Sequence, residues 1–207
     1  MNNSVEVHKF IEKTFSQLIT KHKKQTELFS SFLIYLGNLC YGESKLRDSF
    51  IDKHTFGIIV KSLFEKVIKR STSNPSYQDL KKNCYSLFSN LIRSQLHRTS
   101  FNQIFSEVEE ASAKPKWNHF VNEIKLYQSN YNFTEYMQSL LSIFANCLLG
   151  ASLSIEGLPQ VLNNRFFTNP VNYSPEILNR ALLIVSRLKY KNTSAFTLFN
   201  QSFGQNI

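Results

Sequence analysis

Apolar residues recur at helical spacing along nearly the whole chain. Val7, Phe10, Ile11, Phe15, Leu18 and Ile19 open it. Phe56, Ile59, Val60, Leu63, Phe64, Val67 and Ile68 form the longest run, at i, i+3, i+4, i+7, i+8, i+11 and i+12. Three later sets repeat the period: Cys84, Leu87, Phe88, Leu91 and Ile92; Met137, Leu140, Leu141, Phe144 and Leu148; and Ile177, Ala181, Leu182, Ile184, Val185 and Leu188. Each set is one stripe of an amphipathic helix. No segment alternates convincingly with period two, so the pattern predicts no strand and an all-α chain.

The polar breaks carry helix-end chemistry. Ser76-Tyr77-Gln78-Asp79 has the form of a capping box, and Asn132-Phe133-Thr134-Glu135 is a similar start. Ser174-Pro175-Glu176 places a hydroxyl at the cap, proline at the first helical position and an acid beside the positive helix end. Lys66, Lys69 and Arg70 stand at the negative end of the helix that begins near Phe56. Loops are expected at Ser71–Pro75, Glu110–Lys116, Gln128–Tyr131 and Asn163–Tyr173, with a polar tail over 192–207.

One local pattern returns in the long helices. Leu36-Gly37-Asn38-Leu39, Phe88-Ser89-Asn90-Leu91 and Phe144-Ala145-Asn146-Cys147 place Asn at steps of 52 and 56 residues. Val185-Ser186-Arg187-Leu188 puts Arg in the same place 41 residues further on. Between them the order is short helix, medium helix, long helix. The short members fall at Lys45–Asp52, Thr99–Glu107 and Ser152–Glu156. Such self-similarity marks a stacked solenoid, in which no unit can bury its apolar face alone. The implied divisions are 4–42 (a cap with a partial repeat), 43–94, 95–150 and 151–191, forming a single helical domain over 1–191.

The Leu-x-Asn-Leu element, with the Gly-x-Pro turn at Gly157–Val161, resembles the armadillo-repeat superfamily, with HEAT-like repeats the nearest confusable class. Tyr35-Leu36-Gly37-Asn38-Leu39-Cys40-Tyr41 is similar to repeats of ataxin-10-type proteins. The resemblance implies a right-handed α-solenoid of about three armadillo-like three-helix repeats plus capping helices. It also implies a concave groove in which Asn38, Asn90 and Asn146 hold the backbone of an extended partner segment. A side-chain amide both donates and accepts, so it can pair with both groups of a peptide unit. The alternative is that these Asn side chains bond the neighbouring repeat's backbone and only set the stacking. The family's clamping Trp, four residues before each Asn, is absent; Ile34, Ser86, Ser142 and Leu183 occupy those positions. Arg187, and Arg93 one turn after Asn90, favour an acidic or acidic-hydrophobic segment. Tyr41 stands one turn after Asn38 and joins this partner-binding set.

Composition adjusts this picture in a few places. A formal net charge of +9 suits polyanions. The rival to a peptide groove is therefore a nucleic-acid module contacting phosphates through Lys21, Lys23, Lys24, Lys66, Lys69, Arg70, Lys81 and Lys82. Cys40, Cys84 and Cys147 are too far apart for a disulfide framework and read as buried thiols. Trp117 reads as core with Phe120, Val121 and Ile124. His54 and His97 are expected in solvated turns. No phosphate loop, nucleophile elbow or zinc-helix motif is present, so the expectation is a non-enzymatic protein with no cofactor and no metal. The first residues lack the apolar run of a signal peptide, and Leu140–Ala151 is too short to span a bilayer. An intracellular, cytoplasmic or nuclear, site is expected. Phe166, Phe167, Phe196, Phe199 and Phe203 either cover the last repeat or form a third candidate surface, for a second copy or an obligate subunit partner.

Overall fold

A computed structural model of the chain describes residues 2–21, 24–42, 47–49, 51–70, 74–127, 133–150 and 153–189. The described chain is helical almost throughout. It falls into two compact units, Met1–Ile104 and Phe105–Ile207.

In the first unit, α1 (Asn2–Lys21), α2 (Thr26–Tyr41), α3 (Lys53–Leu63) and α4 (Pro75–Leu91) precede α5 (Gln95–Ser106). The apolar stripes read from the sequence lie mainly on buried faces, although Phe10 of the first is exposed, and α2 buries a further stripe. Ile11, Phe15 and Ile19 of α1, Phe29, Leu33, Leu36 and Cys40 of α2, and Phe56, Ile59, Val60 and Leu63 of α3 are all buried. So are Leu80, Cys84, Leu87, Phe88 and Leu91 of α4. Burying each large side chain contributes about 1.5–3 kcal/mol. α3 and α5 start three and four residues before the expected Phe56 and Thr99, and the start of α4 departs in its cap. α4 is capped by Asn74, whose side-chain oxygen accepts the Ser76 N–H at 3.0 Å, with Pro75 at the first helical position. Proline has the helical φ already and no N–H to satisfy, so the start falls two residues before the expected Ser76 box. α3 is capped by Asp52, which accepts the Thr55 N–H at 2.7 Å.

The strongest packing in this unit is between α2 and α4. Asn83 Nδ2 donates to Ser30 Oγ at 2.6 Å and Asn90 Nδ2 donates to the Gly37 carbonyl at 3.1 Å. Both bonds join residues 53 apart. A constant difference, rather than a constant sum, means that the two helices run parallel and in register.

In the second unit, α6 (Trp117–Leu126), α7 (Phe133–Cys147), α8 (Leu158–Leu162) and α9 (Pro175–Lys189) follow a short hairpin. The hairpin corrects the expected loop and the expectation of no strand: Val108–Glu109 pair antiparallel with Lys114–Pro115. Lys116 Nζ bonds Glu107 at 2.6 Å and His119 Nε2 bonds Glu109 at 2.7 Å, fastening it to α6. Two ladder residues per strand are too few for a period-two signal. Trp117 is core, as expected, with its ring centroid 5.7 Å from Phe105, 5.8 Å from Phe120 and 5.6 Å from Phe144. Leu153–Ile155 is not helical, which removes the described part of the short helix expected at Ser152–Glu156. Gly157, at φ 76°, turns the chain into α8 in the left-handed region that favours glycine.

α7 and α9 pack as α2 and α4 do. Arg180 Nη1 donates to Ser142 Oγ at 2.6 Å and Arg187 Nη1 donates to the Ala145 carbonyl. Later residues again meet later residues, so this pair is parallel too. A second likeness links the units. α3 runs on into a π turn at Phe64–Ile68, and α8 into one at Asn163–Phe167. Each turn thus ends the helix that precedes a motif-bearing helix, and the second, with a 3-10 turn at Pro170–Asn172, replaces most of the expected loop over Asn163–Tyr173.

Among the described residues no helix is long and apolar enough to cross a membrane.

Candidate functional site

The α2 and α4 stripes bury one side of each helix and leave the other outward. Because the helices are parallel and in register, their outward residues form rows. Asn38 and Tyr41 lie one turn apart on α2; Asn90 and Arg93 lie one turn apart at the end of α4. Asn38, Tyr41 and Arg93 are exposed and Asn90 is half-buried.

The Arg93 guanidinium lies 4.5 Å above the Tyr41 ring, which is 60% exposed. A cation over a ring face is held by the ring's quadrupole, and Arg93 is otherwise exposed. Asn90 spends one N–H on the Gly37 carbonyl and keeps a second N–H and its amide oxygen. The Asn38 amide is uncommitted among the described residues. Two amides, one aromatic ring and one guanidinium thus share one face. Leu28, Ile34 and Tyr35 of α2 are also exposed.

Asn146 and Arg187 come together in the second unit. Arg187 is half-buried and donates to Ala145, the residue before Asn146, just as Asn90 donates to Gly37, the residue before Asn38. The motif position therefore makes the same backbone bond in both helix pairs, once from Asn and once from Arg. At Asn90 the amide makes the stacking bond to the neighbouring helix and stays half-buried.

The basic clusters are less uniform than the sequence implies. Lys21, Lys24, Lys69 and Arg70 are exposed and Lys66 is half-buried. Lys69 pairs with Glu65 at 3.2 Å and Lys82 with Asp79 at 3.8 Å. Lys81 is only 5% exposed and leaves the surface set: it lies on the buried side of α4 between Leu80 and Cys84. Lys23 lies outside the described residues.

Phe166 and Phe167 are buried and so do not form a contact for another chain; Phe196, Phe199 and Phe203 lie outside the described residues. His54 is exposed, but on α3 rather than in a turn, and His97 is wholly buried on α5. His97 Nε2 donates to the Ile51 carbonyl at 2.8 Å, and its ring stacks on Phe56 at 4.6 Å. Its Nδ1 stands 3.6 Å from Asp48 Oδ1. Burial holds its pKa below the ordinary value. The helical turn Gln95–Ser100 carries it inward, and nothing local in the sequence signals that.

All three cysteines are buried; desolvation pushes the Cys40 thiol up to about 12, so it is unreactive at neutral pH. Among the described residues no three His, Cys, Asp or Glu side chains come close enough to hold a metal ion. No family model, curated protein or solved structure matches the chain.

Proposed function

We propose that the protein is a non-enzymatic interaction module, an armadillo-like α-solenoid that holds an acidic or acidic-hydrophobic segment of a partner protein in extended form. The observation that carries the reading is the outward row of Asn38, Tyr41, Asn90 and Arg93. The amides pair with the partner's backbone, at about 1 kcal/mol for each bond made. The Arg93 edge takes a carboxylate, and the exposed apolar residues Ile34 and Tyr35 receive the intervening side chains. The parallel α2–α4 and α7–α9 pairs, with their equivalent backbone bonds, support the repeat reading. A surplus of positive charge favours an acidic partner over a basic one.

The nucleic-acid alternative is less well supported, because Lys81 is buried and Lys69 and Lys82 are already paired with acids.

The test is a titration with a short labelled peptide alternating Glu with Leu, against its Lys-for-Glu counterpart. The acidic peptide is expected to bind, to shift the NMR resonances of Asn38, Tyr41 and Asn90, and to weaken about tenfold with Arg93→Glu, the loss of one charge-assisted contact. Equal binding of the Lys peptide, or shifts confined to other residues, sinks the reading.

A further inference from the structure

α2 ends without the usual means of satisfying its last carbonyls. Its last turn holds no basic residue, and Gly42 after it is not left-handed. Arg47, from a helical turn at 47–49, supplies the missing donors. It is only 3% exposed. Its Nε donates to the Cys40 carbonyl at 2.6 Å and its Nη2 to the Gly42 carbonyl at 2.9 Å. A cation at this end also complements the negative pole of the helix. These two carbonyls flank Tyr41, so the planar fork of Arg47 fixes the backbone of the one residue whose ring carries Arg93.

A similar clasp occurs in the second unit. Arg165 donates from two nitrogens to the Lys125 and Tyr127 carbonyls at the end of α6, but Tyr127 is buried against Tyr136. At α2 the clasped residue is exposed and bears a second guanidinium. The positive charge of Arg93 lies near enough to act on Arg47, beside the larger effect of burial and against the opposing effects of Cys40 and Asp48. Arg47 thus closes the end of α2 and, through the Tyr41 backbone, also bears on the residue that carries Arg93.

We propose that Arg47 is the positioning residue of the Tyr41–Arg93 pair, fixing the outward edge of Arg93 and so setting affinity for an acidic segment that Arg47 itself does not touch. The affinity half rests on the docking reading above; the positioning half stands apart from it.

The experiment follows the Arg93 side-chain N–H in labelled full-length protein by NMR. The Tyr41 ring shifts this resonance upfield, and Tyr41→Leu defines its position without the ring. Arg47→Lys keeps the charge and loses the fork. The Arg93 signal is expected to move most of the way to the Tyr41→Leu position while Leu33 and Leu63 methyl signals stay in place. An unmoved Arg93 signal in folded Arg47→Lys overturns the proposal. The wild type supplies a check that needs no variant. On warming, the slow exchange of the Arg47 Nε–H and the Arg93 shift are expected to be lost together. Loss of the first while the second persists overturns the proposal as well. The Glu–Leu peptide is then titrated into both proteins, with binding about fivefold weaker expected for Arg47→Lys. Equal binding overturns the affinity half. Binding to neither, with the Arg93 signal displaced, removes the docking reading and the affinity half while supporting the positioning of Arg93.

Discussion

Asn90 donates its side-chain N–H to the carbonyl oxygen of Gly37, 3.1 Å away on the parallel helix. Helix interiors offer few places for such a bond, because their carbonyls are already engaged along the helix. It is made here because Gly37 has no side chain and is buried against α4. A Cβ at Gly37 would lie 3.8 Å from Asn90 Nδ2 and 3.9 Å from the Cα of Leu87. The bond thus records both the close approach of the two helices and their register.

Asn90→Ala should therefore cost stability, about 0.5–1.5 kcal/mol, the net worth of one bond to a carbonyl that stays engaged along its own helix. Asn38→Ala, at an exposed position, should leave the urea midpoint unchanged while weakening binding of the acidic peptide. Equal effects of the two changes on stability would show that the two amides do not divide the roles as described.

Substitution of Gly37 should split by size. Both contacts of a Cβ there are at ordinary van der Waals distance, so Gly37→Ala should be accommodated and gain about 0.5–1 kcal/mol from lost chain freedom in the unfolded state. Gly37→Leu should force α4 away, break the Asn90 bond and lower the melting temperature. Destabilisation by alanine would mean that the helices sit closer than these distances.

His97 should make stability depend on pH in a defined window. Its carbonyl partner can only accept, so Nε2 carries the proton and Nδ1 faces the Asp48 carboxylate. Because burial lowers the folded pKa below the ordinary 6.5, the unfolded chain binds the proton more readily. The contribution of the neutral ring is thus whole above about 6.5 and is lost as pH falls from there through the folded value. Urea midpoints at pH 7.5 and 5.5 should differ more for wild type than for His97→Gln. Identical differences would show that His97 carries no linked proton.

The cap of α3 should act at lower pH. The Thr55 N–H bond holds the Asp52 carboxyl below its ordinary range, so its contribution is present above that range and lost as pH falls through the folded value. Asp52→Ala should cost about 1 kcal/mol near neutrality. Asp52→Asn should keep most of the cap and lose the acid-side dependence, which acid titrations followed by circular dichroism would reveal.

The alternation of apolar and polar residues by itself determined that this chain is helical, where most helices lie, which faces are buried, and that one motif recurs at Asn38, Asn90, Asn146 and Arg187. That information is local: a stripe at helical spacing reports what each helix must hide, whatever it packs against. Tertiary structure decided the rest, because the deciding contacts join residues far apart in the chain. It assigned one Asn90 donor to Gly37 and paired Arg93 with Tyr41. It drew Arg47, Lys81 and His97 inside despite their polarity, and it gave the cap of α4 to Asn74 and the 108–115 segment to a hairpin. A buried polar residue is stable only where carbonyls or carboxylates await it, and no periodic pattern records where distant helices place them.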